Sequence, residues 1–415
     1  MKPNRIVLLL ILLTAFALRI GAAVYWQERV VASNYVFFFG DSDTYWQLAA
    51  SLAHGQAYQY GDAGEFRIFR MPGYPLILVP LFWLFELSGQ IPPVFSARIV
   101  SVLFGVATVF AVTLPTRQLF DDKRIANVAA AFVAFAPLQI VSSVLVLSEA
   151  PFGFFMLLQI DCWLRTIRTG KRRYAILLGV LTAVCVFIRP GWLLFLPFAA
   201  VLHLLVTTFA DKRCNLRLVT NYAMVTLVFV VAMSAWWIRN YEITGRFVPT
   251  TLQTGASLYD GWRPDADGSS DMRFVEEFRK KFPVQSPTYE YDVDDSMKAA
   301  AMELAKENPT RIAKLAVTKF VRIWNIIPNE PSFSKPAVRL ILAITYLPII
   351  IAAFVGTFRL KIPFATTTIL WLPAIYITLL HTIFVASIRY RTPAMLCLAI
   401  LAAGMFCGKC SRNHK

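Results

Sequence analysis

Apolar runs of about twenty residues recur from one end of the chain to the other, and this length constrains the fold more than any other feature. A run of this length crosses the ~30 Å hydrocarbon core of a bilayer as an α-helix. The 415 residues are 57% hydrophobic and only 16% charged, so the charges are too few to cover a soluble domain of this size. The sequence therefore predicts an all-α polytopic membrane protein.

Short basic loops separate the apolar runs and fix the predicted topology. Examples are "DDKR" at 121–124 and "RTIRTGKRR" at 165–173. Because Lys and Arg concentrate in cytoplasmic loops, these loops and both chain ends are predicted to face the cytoplasm. The net charge of +16 is then a topology signal and does not indicate binding to nucleic acid. About ten transmembrane helices are predicted, at 6–26, 97–119, 125–147, 151–166, 174–188, 191–209, 216–238, 336–358, 363–386 and 392–408.

This topology places two long loops outside the membrane, at 27–96 and 239–335. The first belongs to a predicted N-terminal catalytic module, 1–238, and the second is an insert before the C-terminal helices of 336–415. Segment 74–88 is too short to cross, so we expect it to lie on the outer leaflet as a surface helix. Nearly all acidic residues fall on this side, which predicts an extracytoplasmic site.

The insert ends in a segment, 308–328, that is predicted to form an amphipathic helix on the membrane surface. Its apolar face comprises Ile312, Leu315, Ala316, Phe320 and Ile323. Its polar face comprises Arg311, Lys314, Lys319 and Arg322.

Carboxylates stand at two predicted helix starts on the outer side. Asp41 and Asp43 follow the first apolar run, in "GDSDTYWQLAASL", and Glu149 lies in a tight hairpin, "VLVLSEAPFGFF". Either aspartate could cap the helix that follows, and Ser148 with Glu149 could cap the next span. The alternative is functional: carboxylates can accept a proton from a nucleophilic hydroxyl.

Four arginines are predicted on the same side, where the inside bias of basic residues does not explain them. They are Arg189, Arg239, Arg389 and Arg391. Each alone fits a helix-end side chain that reaches toward water. Together they predict an anion site, because the guanidinium fork suits phosphate. Acids beside such arginines suit transfer of a group from a phosphorylated lipid carrier. The sequence has no Gly-rich phosphate loop that would indicate a nucleotide donor.

Several stretches, in this order, resemble the membrane-embedded C-type glycosyltransferases. The resemblance is closest to glycosyltransferase family 39 and its bacterial relatives, which include protein O-mannosyltransferases and lipid A aminoarabinose transferases. The stretches are "GDSDTYWQLAASL" with Asp41, Tyr45, Ala49 and Leu52, "RMPGYPLIL" at 70–78, "ARIVSVLFG" at 97–105, "LSEAPF" at 147–152, "IRPGWLLFLP" at 188–197, "WWIRNYEITGRFVP" at 236–249 and "RYRTP" at 389–393.

The resemblance implies a fold, a reaction and roles for particular residues. It implies transfer of a sugar from a polyprenyl-phosphate donor on the outer face of the membrane, with inversion at the anomeric carbon. Asp41 takes the place of the family's essential acid, as general base or acceptor-positioning group, with Asp43 as its neighbour. Glu149 matches the second acid. Arg70 and Arg189 are implied to bind the donor phosphate.

The acceptor stays open between a lipid, a glycan and a protein. No cofactor is predicted, although the acids admit a divalent cation. Ser42 stands where many relatives carry a second acid, and Cys407 with Cys410 supplies only half of a zinc site. The compact chain suggests a bacterial inner membrane. The alternatives are a transporter or flippase of a lipid-linked sugar, and a glycan polymerase or ligase with the same donor chemistry.

Overall fold

The chain folds into helices joined by short turns and two long loops. The structure, a computed structural model, describes residues 3–211, 216–326, 335–360 and 362–406. Its α-helices are α1 Pro3–Ala32, α2 Gly40–Ala53, α3 Gly73–Glu86, α4 Val94–Ala111, α5 Thr113–Phe120, α6 Lys123–Phe135, α7 Pro137–Ser142, α8 Glu149–Thr169 and α9 Arg172–Ile188. They continue with α10 Phe195–Asp211, α11 Leu216–Thr244, α12 Thr254–Trp262, α13 Val275–Arg279, α14 Tyr289–Glu307, α15 Pro309–Trp324, α16 Pro336–Arg359, α17 Phe364–Ile383 and α18 Thr392–Gly404.

The predicted all-α membrane fold is confirmed. In the described part of the chain, six stretches are long and apolar enough to cross a bilayer. They correspond to α1, α4 with α5, α10, α11, α16 and α17. The other predicted spans correspond to α6 with α7, α8, α9 and the short α18. The total of ten therefore stays a prediction. Cys407 and Cys410 lie outside the described residues.

The predicted span 125–147 is wrong as one continuous helix. Helix α6 ends at Phe135, α7 is a short turn of helix, and 143–148 is irregular. Pro137 explains the break, because it lacks an N–H and cannot continue the bonding of the preceding turn. Arg19 of α1 compensates by donating to the freed carbonyls of Val133 (3.2 Å) and Ala134 (3.1 Å).

The irregular stretch 143–148 is wholly buried in protein, which is the condition under which non-helical backbone persists at membrane depth. Arg98 of α4 donates to the carbonyl of Val144 at 2.9 Å, and Arg19 donates to the hydroxyl of Ser143 at 3.2 Å. These two bonds hold the start of the irregular stretch that leads to Glu149, the first residue of α8.

Helix α18 lies in the middle of the bundle, since every residue from Thr392 to Gly404 is buried. It packs against α6, α8, α16 and α17. The segment before α18, 384–391, therefore ends at a fixed point in the core.

Contacts between loops mark two regions of the helical bundle. In one region, the first long loop contacts the insert, because Glu290 of α14 binds the backbone of Arg67 and Ile68. In the other region, the side chain of Asn127 donates to the carbonyl of Asn4. We call the region with the long loops the outer end, after the predicted topology.

Helix α15 confirms the predicted helix in 308–328 as far as the described residues reach, but the predicted faces were partly wrong. Asn308 caps it by accepting from the N–H of Arg311 at 3.0 Å. Lys319, predicted on the polar face, is fully buried, whereas Phe320 is half exposed. The Leu315–Lys319–Ile323 stripe is buried against the protein, and Lys319 donates there to the carbonyl of Ile383.

Candidate active site

Glu149 is the buried centre of a charged cluster at the outer end. Its side chain is only 4% exposed. Its Oε1 lies 3.1 Å from Nε of Arg389 and 3.6 Å from Nη1 of Arg189. Neither Ser148 nor Glu149 caps α8 through a side-chain hydrogen bond. The carboxylate therefore pairs with two arginines from different parts of the chain, Arg189 at the end of α9 and Arg389 in the segment before α18.

Asp41 forms the second ion pair of the cluster. Its Oδ1 lies 2.5 Å from Nη2 of Arg70. Arg70 also donates from its Nη1 to the side-chain oxygen of Gln253 at 3.2 Å. The guanidinium of Arg70 lies over the ring of Tyr45. Helix α2 begins at Gly40 with no side-chain cap, so Asp41 is available for this pairing.

The two ion pairs act as one electrostatic unit. Desolvation alone would raise the pKa of the Asp41 carboxyl, but the charges of Arg70, Arg389 and Arg189 outweigh it and lower that pKa below its usual value. Asp41 is thus a stable anion at neutral pH. Three arginines face two carboxylates, which leaves one positive charge for an anion to neutralise.

Two guanidinium groups of the cluster have a buried nitrogen without a hydrogen bond. Within the described part of the chain, these are Nε of Arg70 and Nη1 of Arg189, which faces Glu149 at 3.6 Å, beyond hydrogen-bond distance. A buried donor without a partner costs free energy. The cluster is accessible to solvent at Asp41, whose side chain is 42% exposed, and it is buried at Glu149.

Aromatic rings hold the arginines in place. Arg389 lies over Phe39, with 5.3 Å between the guanidinium carbon and the ring centre, and Arg189 lies over Phe152 at 5.6 Å. Tyr390 stacks on His381 of α17 at 4.2 Å. Phe39, Gln253 and His381 were not predicted from the sequence to lie at the site. The only signal in the sequence was the nearness of Phe39 and Tyr390 to charged residues that it had chosen.

The other predicted site residues lie outside the cluster. Asp43 is exposed and accepts from the side chain of Gln47 at 2.7 Å. Arg239 donates to the carbonyls of Tyr58 and Arg67, both at 3.1 Å, and so fastens the first loop to α11. Arg391 is fully buried, and its Nη1 donates to two carbonyls at the end of α15. Their proposed roles in catalysis or phosphate binding stay predictions.

No group of three or more His, Cys, Asp or Glu side chains in the described ranges is arranged to hold a metal ion. Asp41 and Glu149 are each occupied by arginine. The arginines supply the positive charge at this place.

Glu290 of α14 positions the loop segment that leads to Arg70. Its two oxygens accept from the N–H groups of Arg67 (2.9 Å) and Ile68 (3.0 and 3.1 Å). Burial raises its pKa to about 7, although the backbone bonds and Arg239 oppose the shift. Asp294 on the same helix is also shifted upward, to about 6, again by burial.

These shifts predict that stability falls as pH rises from about 4.5 to 7. In this window the folded protein keeps a proton on Glu290 that the unfolded chain, with an ordinary carboxyl pKa of about 4.3, has lost. The replacement Glu290→Gln keeps a neutral acceptor for the backbone. It should remove the fall in unfolding free energy between pH 6 and 7, which is about 1 kcal/mol, and leave the part below 6 that Asp294 contributes.

Unfolding midpoints of the purified full chain, measured across this pH range in detergent, test the prediction. The variant Glu303→Gln, which changes an exposed residue of the same helix, is the control. A wild-type midpoint that rises from pH 6 to 7, or an unchanged slope in Glu290→Gln, would contradict it.

Comparison with solved structures identifies the class of fold. Over 97% of its length, the chain matches the archaeal oligosaccharyltransferase AglB from Archaeoglobus fulgidus in complex with an inhibitory peptide and a dolichol-phosphate, with a TM-score of 0.58 and 15% identity. The apo form of the same oligosaccharyltransferase matches over 96%, with a TM-score of 0.58 and 14% identity. The chain spans 50% of the length of these structures.

The chain thus has the C-type glycosyltransferase fold that the sequence predicted. Within that class, residues 78–244 match the sequence model of the dolichyl-phosphate-mannose-protein mannosyltransferase family. ArnT from Cupriavidus metallidurans bound to undecaprenyl phosphate aligns more loosely, with a TM-score of 0.41 and 13% identity over 89% of this chain and 73% of that one. No curated protein sequence matches the chain.

Proposed function

We propose that the protein transfers a sugar from a polyprenyl-phosphate donor to an acceptor hydroxyl at the outer face of the membrane. The observation that carries the proposal is the cluster of Asp41, Arg70, Glu149, Arg189 and Arg389, with its surplus of positive charge and its buried unused donors. The fold and the match to a mannosyltransferase family support it. The solved relative holds dolichol-phosphate, a lipid of the proposed donor class.

The proposed reaction is a single displacement. The acceptor oxygen attacks the anomeric carbon, the bond from that carbon to the phosphate oxygen breaks, and the configuration inverts. Asp41 is the group for the acceptor side, because it is an exposed anion that can orient the hydroxyl and take its proton. Arg189, Arg389 and Arg70 hold the lipid phosphate and stabilise the charge that grows on it as it leaves.

Glu149 has a different part in this proposal. It is too deeply buried to meet the acceptor, and it lies against the two arginines. Its charge keeps these guanidinium groups together and limits how tightly the cluster holds the departing phosphate. The acceptor remains one of the three classes that the sequence left open, and the proposed location is a bacterial inner membrane with the site facing the periplasm.

A transporter or flippase of a lipid-linked sugar is the second candidate. Charged residues of such proteins gather near the middle of the bilayer, on broken helices. The irregular stretch 143–148 before Glu149 is a feature that favours a transporter. The acid–arginine cluster, however, lies at the outer loops, against Phe39 and the first residues of α2. The transferase is therefore the better supported function.

A donor panel tests the proposal directly. We expect the purified full chain to release polyprenyl phosphate from one of a set of polyprenyl-phosphate sugars when an acceptor extract is added. The sugar in the product should have the anomeric configuration opposite to that of the donor. If no donor is consumed while the same preparation moves intact lipid-linked sugar across vesicles, the transporter reading replaces this one.

A further inference from the structure

Lys319 is a fully buried lysine that the proposed reaction does not use. It lies in the middle of α15, and its Nζ donates to the carbonyl oxygen of Ile383 at 2.8 Å. Burying an ammonium group is costly, and burial lowers the pKa of Lys319 to about 8. The same helix has exposed positions where a lysine would not pay this free-energy cost. We therefore expect the buried Lys319 to hold another group in place.

The group that Lys319 holds is the end of α17. Ile383 is the last residue of that helix, where carbonyl groups have no partner within the helix. Trp262 of α12 donates to the same oxygen through its Nε1, also at 2.8 Å. A cation is favourable at this position because the carboxyl end of a helix carries partial negative charge.

The insert also contacts the residues that follow the end of α17. The backbone of α12 lies so close that a Cβ on Gly261 would come within 3.2 Å of the Ile383 oxygen and 3.0 Å of Nζ of Lys319. Three residues further on, the N–H of Ala386 donates to the carbonyl of Gly268 at 2.8 Å. The start of segment 384–391 is thus fixed to the insert at two points.

The far end of the segment is fixed to α15 as well. Arg391 donates to the carbonyls of Ile323 and Asn325, at 2.8 and 2.7 Å. Between these anchors, Arg389 reaches Glu149 at 3.1 Å. One helix of the insert therefore holds both ends of the segment that brings an arginine of the candidate site to its carboxylate.

We propose that Lys319 is a positioning residue for Arg389, and that α15 of the insert sets the shape of segment 384–391. The effect on turnover rests on the proposed function, whereas the effect on the segment does not. The insert then takes part in assembling the site, both through α15 and through the bond that Gln253 accepts from Arg70.

Hydrogen exchange tests the structural half of the proposal. The variant Lys319→Met keeps the length of the side chain and removes its donor, and Lys314→Met changes an exposed lysine one turn earlier in the same helix. We expect amide exchange over 384–391 to become about tenfold faster in Lys319→Met, because a charged hydrogen bond is lost. Exchange in α2 should not change. Equal exchange over 384–391 in the two variants would overturn the proposal.

A double-mutant cycle tests the functional half. Lys319→Met should lower kcat/KM for the donor about tenfold, mainly through KM, and it should have almost no further effect when Arg389→Gln is already present. A residue with only a general structural role would act equally in both backgrounds, and that additive result would overturn the proposal. If wild-type protein consumes no donor, the proposed function fails, and the exchange experiment alone decides whether Lys319 positions the segment.

Discussion

Asp41→Asn should lower kcat by a factor of roughly 10²–10⁴, the usual contribution of a general base. The amide keeps an oxygen for Arg70, and Arg70 keeps its bond to Gln253, so the shape of the site should be preserved. What is lost is the negative charge that orients the acceptor hydroxyl and receives its proton. Donor KM should not rise, because loss of the Asp41 charge leaves Arg70 and the other two arginines with more positive charge for the donor phosphate. The measurement is sugar release from the donor identified for wild type.

The matched control is Asp43→Asn, which changes the exposed neighbour that contacts only Gln47 among the hydrogen bonds described. It should retain wild-type turnover within about twofold, as surface changes usually do. Wild-type activity should also stay flat as pH falls toward 5, since the pKa of Asp41 lies below its ordinary value and the carboxylate stays ionised. Activity should fall only at a lower pH, where the Asp41 carboxylate becomes protonated. Equal turnover of both variants and wild type would remove Asp41 from the mechanism.

The positions of Asp41, Asp43 and Glu149 left a capping role and a functional role open, and only the resemblance to a family favoured Asp41 over Asp43. Carboxylates that follow a membrane span have few explanations, and for Asp41 and Glu149 the capping alternative is not what the structure shows. Arg70 came from the resemblance to a family and not from its own surroundings. The sequence could not show that Asp41 and Arg70 touch, because that contact depends on how the first loop folds back over α2.

Arg389 and Arg391 show where a single sequence stops being informative. They are two residues apart, both beside Tyr390, and both were predicted to bind phosphate. In the structure they diverge: Arg389 reaches Glu149, and Arg391 reaches the end of α15. The side chain that faces the site depends on anchors more than 60 residues away in the chain, such as the Arg391 to Ile323 bond at a separation of 68.

The two errors of the sequence analysis have different causes. The break in span 125–147 was signalled by Pro137, and a stricter use of proline as a helix breaker would have found it. Lys319 was not signalled in the same way. Helical periodicity shows which residues share a face, but the buried face of α15 accepts a lysine only because the carbonyl at the end of α17 lies opposite.

Glu149→Gln should be the most destabilising change at the site. It leaves Arg189 and Arg389 without the buried charge that they share, and loss of one partner from a buried ion pair costs about 3–5 kcal/mol. The unfolding midpoint in detergent should fall accordingly. Glu242→Gln, which changes an exposed carboxylate near the outer end of α11, should leave the midpoint within error of wild type.

A phosphorylated lipid should rescue Glu149→Gln more than it stabilises wild type. The variant cluster carries two surplus positive charges, so a bound phosphate anion replaces part of the missing carboxylate, and ligand that binds only the folded state raises its stability. The test is the midpoint shift produced by a fixed concentration of a polyprenyl phosphate, against the same lipid without phosphate. A larger shift in the variant supports an anion site at these arginines. A phosphate-specific shift of equal size in variant and wild type would mean that the cluster is only a structural pairing of charges and that phosphate binds elsewhere.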